Sequence, residues 1–184
     1  MLGLVVLLGG VASTEVDQRL SRMTALYEQV CLKAFPDDKA VEAVMTARGA
    51  RPLTADEVKT TMRDDPARAW ELKDGSGTIW IEFPPYHACS VRWNTPEIGD
   101  LREYRAIADQ YERAAGSYST IEPYNTDYGD VHVHAVGEQR TLSNGTIESL
   151  FIFDQHITDP KRRAAGETGY SLRFVHQYRS PEAK

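Results

Sequence analysis

The spacing of apolar residues changes in the stretch GTIWIEFPPYHACSVRW, residues 77–93. Before it, apolar side chains recur every three or four residues, the period of a helix, and within it they recur every second residue, the period of a strand. Ile79 and Ile81 share one face of a first strand, and Cys89 and Trp93 share one face of a second. The stretch therefore predicts two antiparallel strands joined by a proline-containing loop, at the point where helices give way to a sheet.

Three helices are predicted before this stretch. The first covers residues 14–35 and carries Cys31 on or beside its apolar stripe. The second starts at residue 37 or 38 and ends before Gly49, and the third begins at the capping box that Thr54 and Glu57 form.

A long helix and a second group of strands are predicted after it. Thr95 and Pro96 begin the helix and Gly116 ends it. Strand candidates follow near residues 118–124, 130–142, 147–157 and 169–178. The order α-α-α-β-β-α-β-β-β-β predicts an α+β fold, with N-terminal helices packed on a twisted antiparallel sheet, and residues 14–184 as a single domain.

The amino terminus and the charge bear on location. Residues 1–13 form an apolar segment that resembles a secretory signal, although no Lys or Arg precedes the apolar run. The segment is too short to cross a bilayer, since a spanning helix needs about 20 apolar residues. The formal net charge of −6 argues against nucleic-acid binding, which needs a basic face. We expect a periplasmic or secreted protein with no membrane span; the alternative is a cytoplasmic protein that buries this segment.

The two cysteines, Cys31 and Cys89, each stand alone in the sequence. Both lie on the apolar side of their predicted elements, so we expect them to meet in the core and form a disulfide bond, as an oxidising compartment would favour. The alternatives are two inert buried thiols, or a redox or metal-binding role. Zinc sites usually have paired ligands such as C-x2-C, and reactive thiols lie in exposed, electropositive surroundings, which argues against the last alternative.

Three histidines are candidate ligands or metal ligands. His132 and His134 lie on the same face of a predicted strand, and His176 lies on a later strand with an aromatic face. The functional interpretation is a three-histidine metal site or a general base in an aromatic pocket. The structural interpretation is two half-exposed sheet residues and one core histidine. The structural interpretation is favoured because no Asp or Glu stands at a spacing from the histidines that is typical of a metal or catalytic site.

The Asn-Gly pair at residues 144–145 predicts how the last strands pair. A two-residue type I′ turn there would place His134 opposite Gln155 and would project His156 to the face opposite that of His132. A site that combines His156 with the other histidines of this hairpin is therefore not expected.

The hypotheses for function follow from what the sequence contains and lacks. It has no glycine-rich phosphate loop, no G-x-S-x-G and no H-E-x-x-H. An exported, non-enzymatic binding or accessory protein without a cofactor is favoured, with an unknown protein or a small molecule as its ligand. One alternative is a metal-binding protein or enzyme that uses the three candidate histidines.

A second alternative is a structural subunit of a cell-envelope assembly. Tyr118, Tyr124 and Tyr128 stand among polar turn residues and would form its contact surface. The favoured explanation is that they are ordinary half-buried strand and loop tyrosines.

Overall fold

The computed structural model describes the backbone of residues 10–181 and the side chains of residues 15–181. Within this part of the chain, helices pack on one face of a nine-stranded antiparallel sheet, so the predicted α+β class is confirmed. Most of the signal-like segment, residues 1–9, lies outside the described residues. None of the described helices is long and apolar enough to cross a membrane.

The N-terminal helices lie close to their predicted places. The helices are α1 Gly10–Tyr27, which continues as a π-helical segment Glu28–Ala34, α2 Asp38–Ala47, α3 Ala55–Met62, α4 Arg102–Ala115 and the short α5 Pro160–Ala164. Asp37 caps α2 through its side chain, and Thr54 and Glu57 form the predicted capping box of α3. Both caps provide acceptors for amides that the first turn of a helix leaves without partners.

The long helix α4 begins later than predicted, at Arg102 rather than at Pro96. Thr95 is instead the last residue of a strand and pairs with Tyr170 across the sheet. Its hydroxyl donates a hydrogen bond to the carbonyl of Glu97 at 2.8 Å, which holds the chain in a turn before the helix.

The sheet contains more strands than predicted. The strands are β1 Arg51–Pro52, β2 Ala67–Glu71, β3 Thr78–Glu82, β4 Tyr86–Thr95, β5 Ser119–Thr120, β6 Tyr124–Tyr128, β7 Val131–Thr141, β8 Ile147–Ile157 and β9 Tyr170–Arg179. Their order in the sheet is β1-β2-β3-β4-β9-β8-β7-β5, and β6 also pairs with β7. The first two strands were missed because β1 has two residues and β2 alternates Ala and Arg with little apolar signal. The last strand in the chain, β9, lies in the middle of the sheet.

The core lies between the helices and the sheet face that carries Cys89, Trp93 and Phe174. Tyr27 of α1 is fully buried, and its ring centroid lies 5.7 Å from that of Phe174. The Trp93 ring lies 4.9 Å from the same phenylalanine, edge to face. Large aromatic side chains contribute most of the buried area in such a core, so these contacts hold α1 on the sheet.

The predicted disulfide bond is confirmed. Cys31 of the π-helical segment is bonded to Cys89 of β4, their Cα atoms are 5.4 Å apart, and neither residue is exposed. The bond closes a loop of 58 residues, which in the chain-entropy account stabilises the fold by about 4 kcal/mol. It fastens the N-terminal helical segment to the middle of the sheet.

The loop between β7 and β8 differs from the predicted two-residue turn. Gly145 is the only residue of this loop with a positive φ, 81°, whereas a type I′ turn needs two such residues. The amide of Leu142 donates to the carbonyl of Thr146 at 2.8 Å, so the loop contains three residues. The predicted register was therefore wrong by one position. Because side chains alternate between the faces of a sheet, His156 lies opposite His132 and on the same face.

Candidate functional site

A cavity of about 640 Å³ lies at the end of the sheet, where β4 and β8 end and β9 begins. His156 and Tyr170 line it from the helix-bearing face, and Asn94, Gln155 and Ser171 line it from the other face. Sites for small molecules typically have volumes of about 300–1,000 Å³. We call this feature the sheet-end cavity.

His156, which lines this cavity, has a ring nitrogen without a partner among the described residues. Its Nδ1 atom is buried and makes no hydrogen bond with the described residues. The ring lies 5.2 Å from the ring of Tyr170, edge to face, and 5.0 Å from the ring of His132. A buried polar atom without a partner costs about 1–3 kcal/mol, so a ligand or water that bonds to this nitrogen is favoured.

Two histidines of β7 each pair with an aspartate near the cavity. Nδ1 of His132 lies 2.7 Å from Oδ1 of Asp127, and Nδ1 of His134 lies 2.7 Å from Oδ2 of Asp154. Because an ionised carboxylate only accepts hydrogen bonds, each Nδ1 carries the hydrogen. The pairs fix the orientation of both rings and leave each Nε2 without a partner among the described residues.

His176 lies on the same sheet face but far from the other two candidate histidines. Leu172, which is opposite the Asp154 that binds His134, is four residues before His176 in β9, a separation of about 13 Å. The structure therefore does not bring the three predicted residues together. Among residues 15–181, no three His, Cys, Asp or Glu side chains are placed to hold a metal ion.

His176 instead belongs to a buried group around the carboxylate of Glu148. Oε1 of Glu148 accepts hydrogen bonds from His176 Nε2 at 2.8 Å, from the Tyr111 hydroxyl at 2.7 Å and from the Tyr178 hydroxyl at 2.8 Å. Its Oε2 accepts from Nε of Arg140 at 2.5 Å. We call these five residues the Glu148 cluster.

The hydrogen bonds decide the charge state of the cluster. Burial by itself raises the pKa of Glu148, but the donors from His176, the two tyrosines and Arg140 outweigh it and hold the pKa well below the ordinary value of 4.5. Burial and the nearby carboxylate raise the pKa of Tyr111 to about 12, so its hydroxyl stays protonated and donates. Glu148 and His176 have no solvent exposure, which makes this cluster part of the core rather than an open site.

The predicted tyrosine surface is divided by the structure. Tyr124 and Tyr128 are the first and last residues of β6, exposed by 44% and 60%, and their hydroxyl groups are hydrogen-bonded to each other. Tyr118 lies elsewhere, with a buried hydroxyl and with the guanidinium of Arg140 5.2 Å from its ring centroid. An exposed contact surface therefore contains two of the three tyrosines.

Several residues of these sites were missed by sequence reasoning. Asp127, Asp154 and Glu148 are on neighbouring strands, 5, 20 and 28 positions from their histidine partners, and the pairs depend on strand pairing, which sequence spacing does not reveal. The proximity of His156 to the other histidines follows from the loop length, and a three-residue interpretation of the Asn-Gly turn would have found it.

Comparison of the chain with protein-family models, with curated proteins and with solved structures gives no match. The fold and the sites define an α+β domain with one disulfide bond, a satisfied buried cluster and a cavity of small-molecule size.

Proposed function

We propose that this protein is an exported, non-enzymatic binding domain and that a small molecule occupies the sheet-end cavity. The observation that carries the proposal is a cavity of about 640 Å³ lined by His156, whose buried Nδ1 atom has no partner among the described residues. Binding sites combine an apolar or aromatic lining with a few polar groups that orient the ligand. Tyr170 provides the aromatic surface beside the histidine.

The lining favours an uncharged ligand that forms hydrogen bonds. Asn94, Gln155 and Ser171 contribute neutral amide and hydroxyl groups. The carboxylate of Glu167, which also lines the cavity, is paired with Arg162, whose Nε lies 3.0 Å from Oε2. This pairing offsets the charge of the carboxylate, so a neutral polar molecule fits the cavity better than an ion.

The histidine–aspartate pairs support a binding role over nucleophilic catalysis. A catalytic pair of this kind has a hydroxyl or thiol nucleophile hydrogen-bonded to the free imidazole nitrogen. Within the described residues, Nε2 of His132 and Nε2 of His134 have no such partner.

Export is supported by the disulfide bond, since such bonds persist in oxidising compartments. Expression of the full chain in a Gram-negative host tests it. We expect the protein in the periplasmic fraction, with an amino terminus near Ser13 and with no free thiol by mass spectrometry. Retention in the cytoplasm with residues 1–13 intact would contradict export.

The ligand site is tested with a library of uncharged polar fragments and ligand-observed NMR. We expect at least one fragment to bind and its Kd to rise about tenfold in His156→Leu, because one hydrogen bond is lost. His134→Leu, which changes a histidine outside the cavity lining, is the matched control and should leave the Kd unchanged. Equal binding by both variants, or no binding fragment, would overturn the proposal.

A further inference from the structure

Two arginines lie opposite each other on adjacent strands, on the sheet face that α1 and α4 do not cover; Met62 at the end of α3 contacts one of them, Arg92. Arg92 of β4 and Arg173 of β9 are direct cross-strand partners. Like charges in this position destabilise a sheet unless a counter-charge lies between them. Their side chains are only 14% and 23% exposed, so solvent screens the repulsion poorly.

Aromatic and polar neighbours hold both guanidinium groups in place. Arg92 lies over the ring of Trp80, with 4.8 Å from Cζ to the ring centroid, and its Nε donates to the hydroxyl of Ser90 at 3.0 Å. Arg173 lies over the ring of Phe153 at 5.2 Å. The two cations are therefore positioned before any ligand arrives, which lowers the entropy cost of binding.

The counter-charge that the chain provides is incomplete. Oε1 of Glu82 lies 2.7 Å from Nη2 of Arg92 and 3.5 Å from Nη2 of Arg173, so one carboxylate serves two cations. Nε of Arg173 is buried and has no partner among the described residues. Burial and the repulsion from Arg173 lower the pKa of Arg92 to about 9 despite the carboxylate.

We infer that Arg92 and Arg173 form a binding site for an oxyanion, the carboxylate, phosphate or sulfate group of a ligand. Guanidinium groups bind such groups through two parallel N–H donors, and the buried Nε of Arg173 has no acceptor among the described residues. An anion here would bond to that donor and separate the opposed charges. This site is distinct from the sheet-end cavity and does not depend on the function proposed for it. The rival explanation is a purely structural Arg–Glu–Arg group.

Thermal unfolding with inorganic sulfate, inorganic phosphate and acetate tests the inference. The pH is held at 7 and the ionic strength is kept constant with sodium chloride. Saturation is the criterion for specific binding, because sulfate also stabilises proteins by exclusion from their surface. We expect the Tm to rise in a saturable way, by about 4 °C at ten times the half-saturating concentration. The anion with the lowest half-saturating concentration identifies the preferred group.

The variants separate a bound anion from a structural group. Arg173→Met should abolish the saturable rise, and Arg68→Met, which changes an exposed arginine paired with Glu42, should retain it. Glu82→Gln removes the competing carboxylate and should lower the half-saturating concentration several-fold, which keeps the test valid if Arg173→Met does not fold. A rise that is equal in all variants, or no saturable rise in the unmodified protein, would overturn the inference.

Discussion

Nε2 of His176 lies 2.8 Å from Oε1 of Glu148, and neither side chain is exposed to solvent. Nδ1 of the same histidine lies 2.7 Å from the carbonyl oxygen of Cys31. Because a carbonyl only accepts hydrogen bonds, Nδ1 donates to it. The histidine thus joins the disulfide-bonded helical segment to the carboxylate that organises the middle of the sheet.

Replacement of the buried carboxylate is expected to destabilise the fold strongly. Glu148→Gln leaves Arg140 without its ion pair and places an amide donor among other donors. We expect a loss of about 3 kcal/mol in the free energy of unfolding at pH 7, measured by urea titration. Glu122→Gln, at an exposed glutamate, should change it by less than about 0.5 kcal/mol.

The same carboxylate is expected to make the free energy of unfolding depend on pH. The folded-state pKa of Glu148 is below its ordinary value of 4.5. The contribution of this carboxylate to the free energy of unfolding is therefore complete above pH 4.5 and is lost as the pH falls below 4.5 towards the folded-state pKa. We expect the difference between the unmodified protein and Glu148→Gln to narrow below pH 4.5. A constant difference down to pH 3 would contradict the depressed pKa.

Removal of the disulfide bond is expected to lower the free energy of unfolding, because the unfolded chain gains conformational freedom. The double variant Cys31→Ala, Cys89→Ala frees a loop of 58 residues, and we expect a loss of about 2–4 kcal/mol in the free energy of unfolding. Urea titration with and without reductant measures it, since reductant should affect only the unmodified protein. Unchanged stability of the double variant would show that the bond does not constrain the fold.

Glu112 is expected to give the free energy of unfolding a pH dependence of the opposite sign. It lines a small cavity together with Glu138, and burial with this neighbouring carboxylate raises its pKa from 4.5 to about 7. Folding disfavours the ionised form of Glu112, because its folded-state pKa is higher than its unfolded-state pKa. The contribution of Glu112 to the free energy of unfolding is therefore complete below pH 4.5 and is lost as the pH rises through 7.

Glu112→Gln tests this assignment. The variant should be more stable than the unmodified protein at pH 8 by up to about 1 kcal/mol, a figure reduced for partial solvent screening, and equally stable at pH 4. Glu103→Gln, at an exposed position of the same helix, should show no such pH-dependent gain. Thermal unfolding at the two pH values measures both variants.

Gly137 of β7 is expected to tolerate no side chain. A Cβ there would overlap the carbonyl oxygen of Leu150 and lie 2.6 Å from the ring of Phe151. We expect Gly137→Ala to lower the free energy of unfolding by about 2–3 kcal/mol. Gln139→Ala, on the same strand and face, is the control. Equally small losses in the free energy of unfolding for both variants would contradict the close approach of Leu150 and Phe151 to Gly137.

Prediction from the sequence succeeded where the controlling interactions are local. The capping box of Thr54 and Glu57 and the apolar stripe of α1 involve residues within a few positions of each other. The start of α4 was wrong because pairing of Thr95 with β9, a distant strand, overrode the local helix signal. The position of His156 was predicted wrongly, because the face on which it lies depends on the register of β7 and β8.

The sequence by itself determined the α+β class and the pairing of Cys31 with Cys89, since the spacing of apolar residues shows which side of each element faces the core. Only the tertiary structure decided that His156 adjoins His132 and that Arg92 faces Arg173. Such neighbours depend on strand register, in which a shift of one residue moves every side chain to the other face. In β7 and β8 that register depends on the length of one three-residue loop.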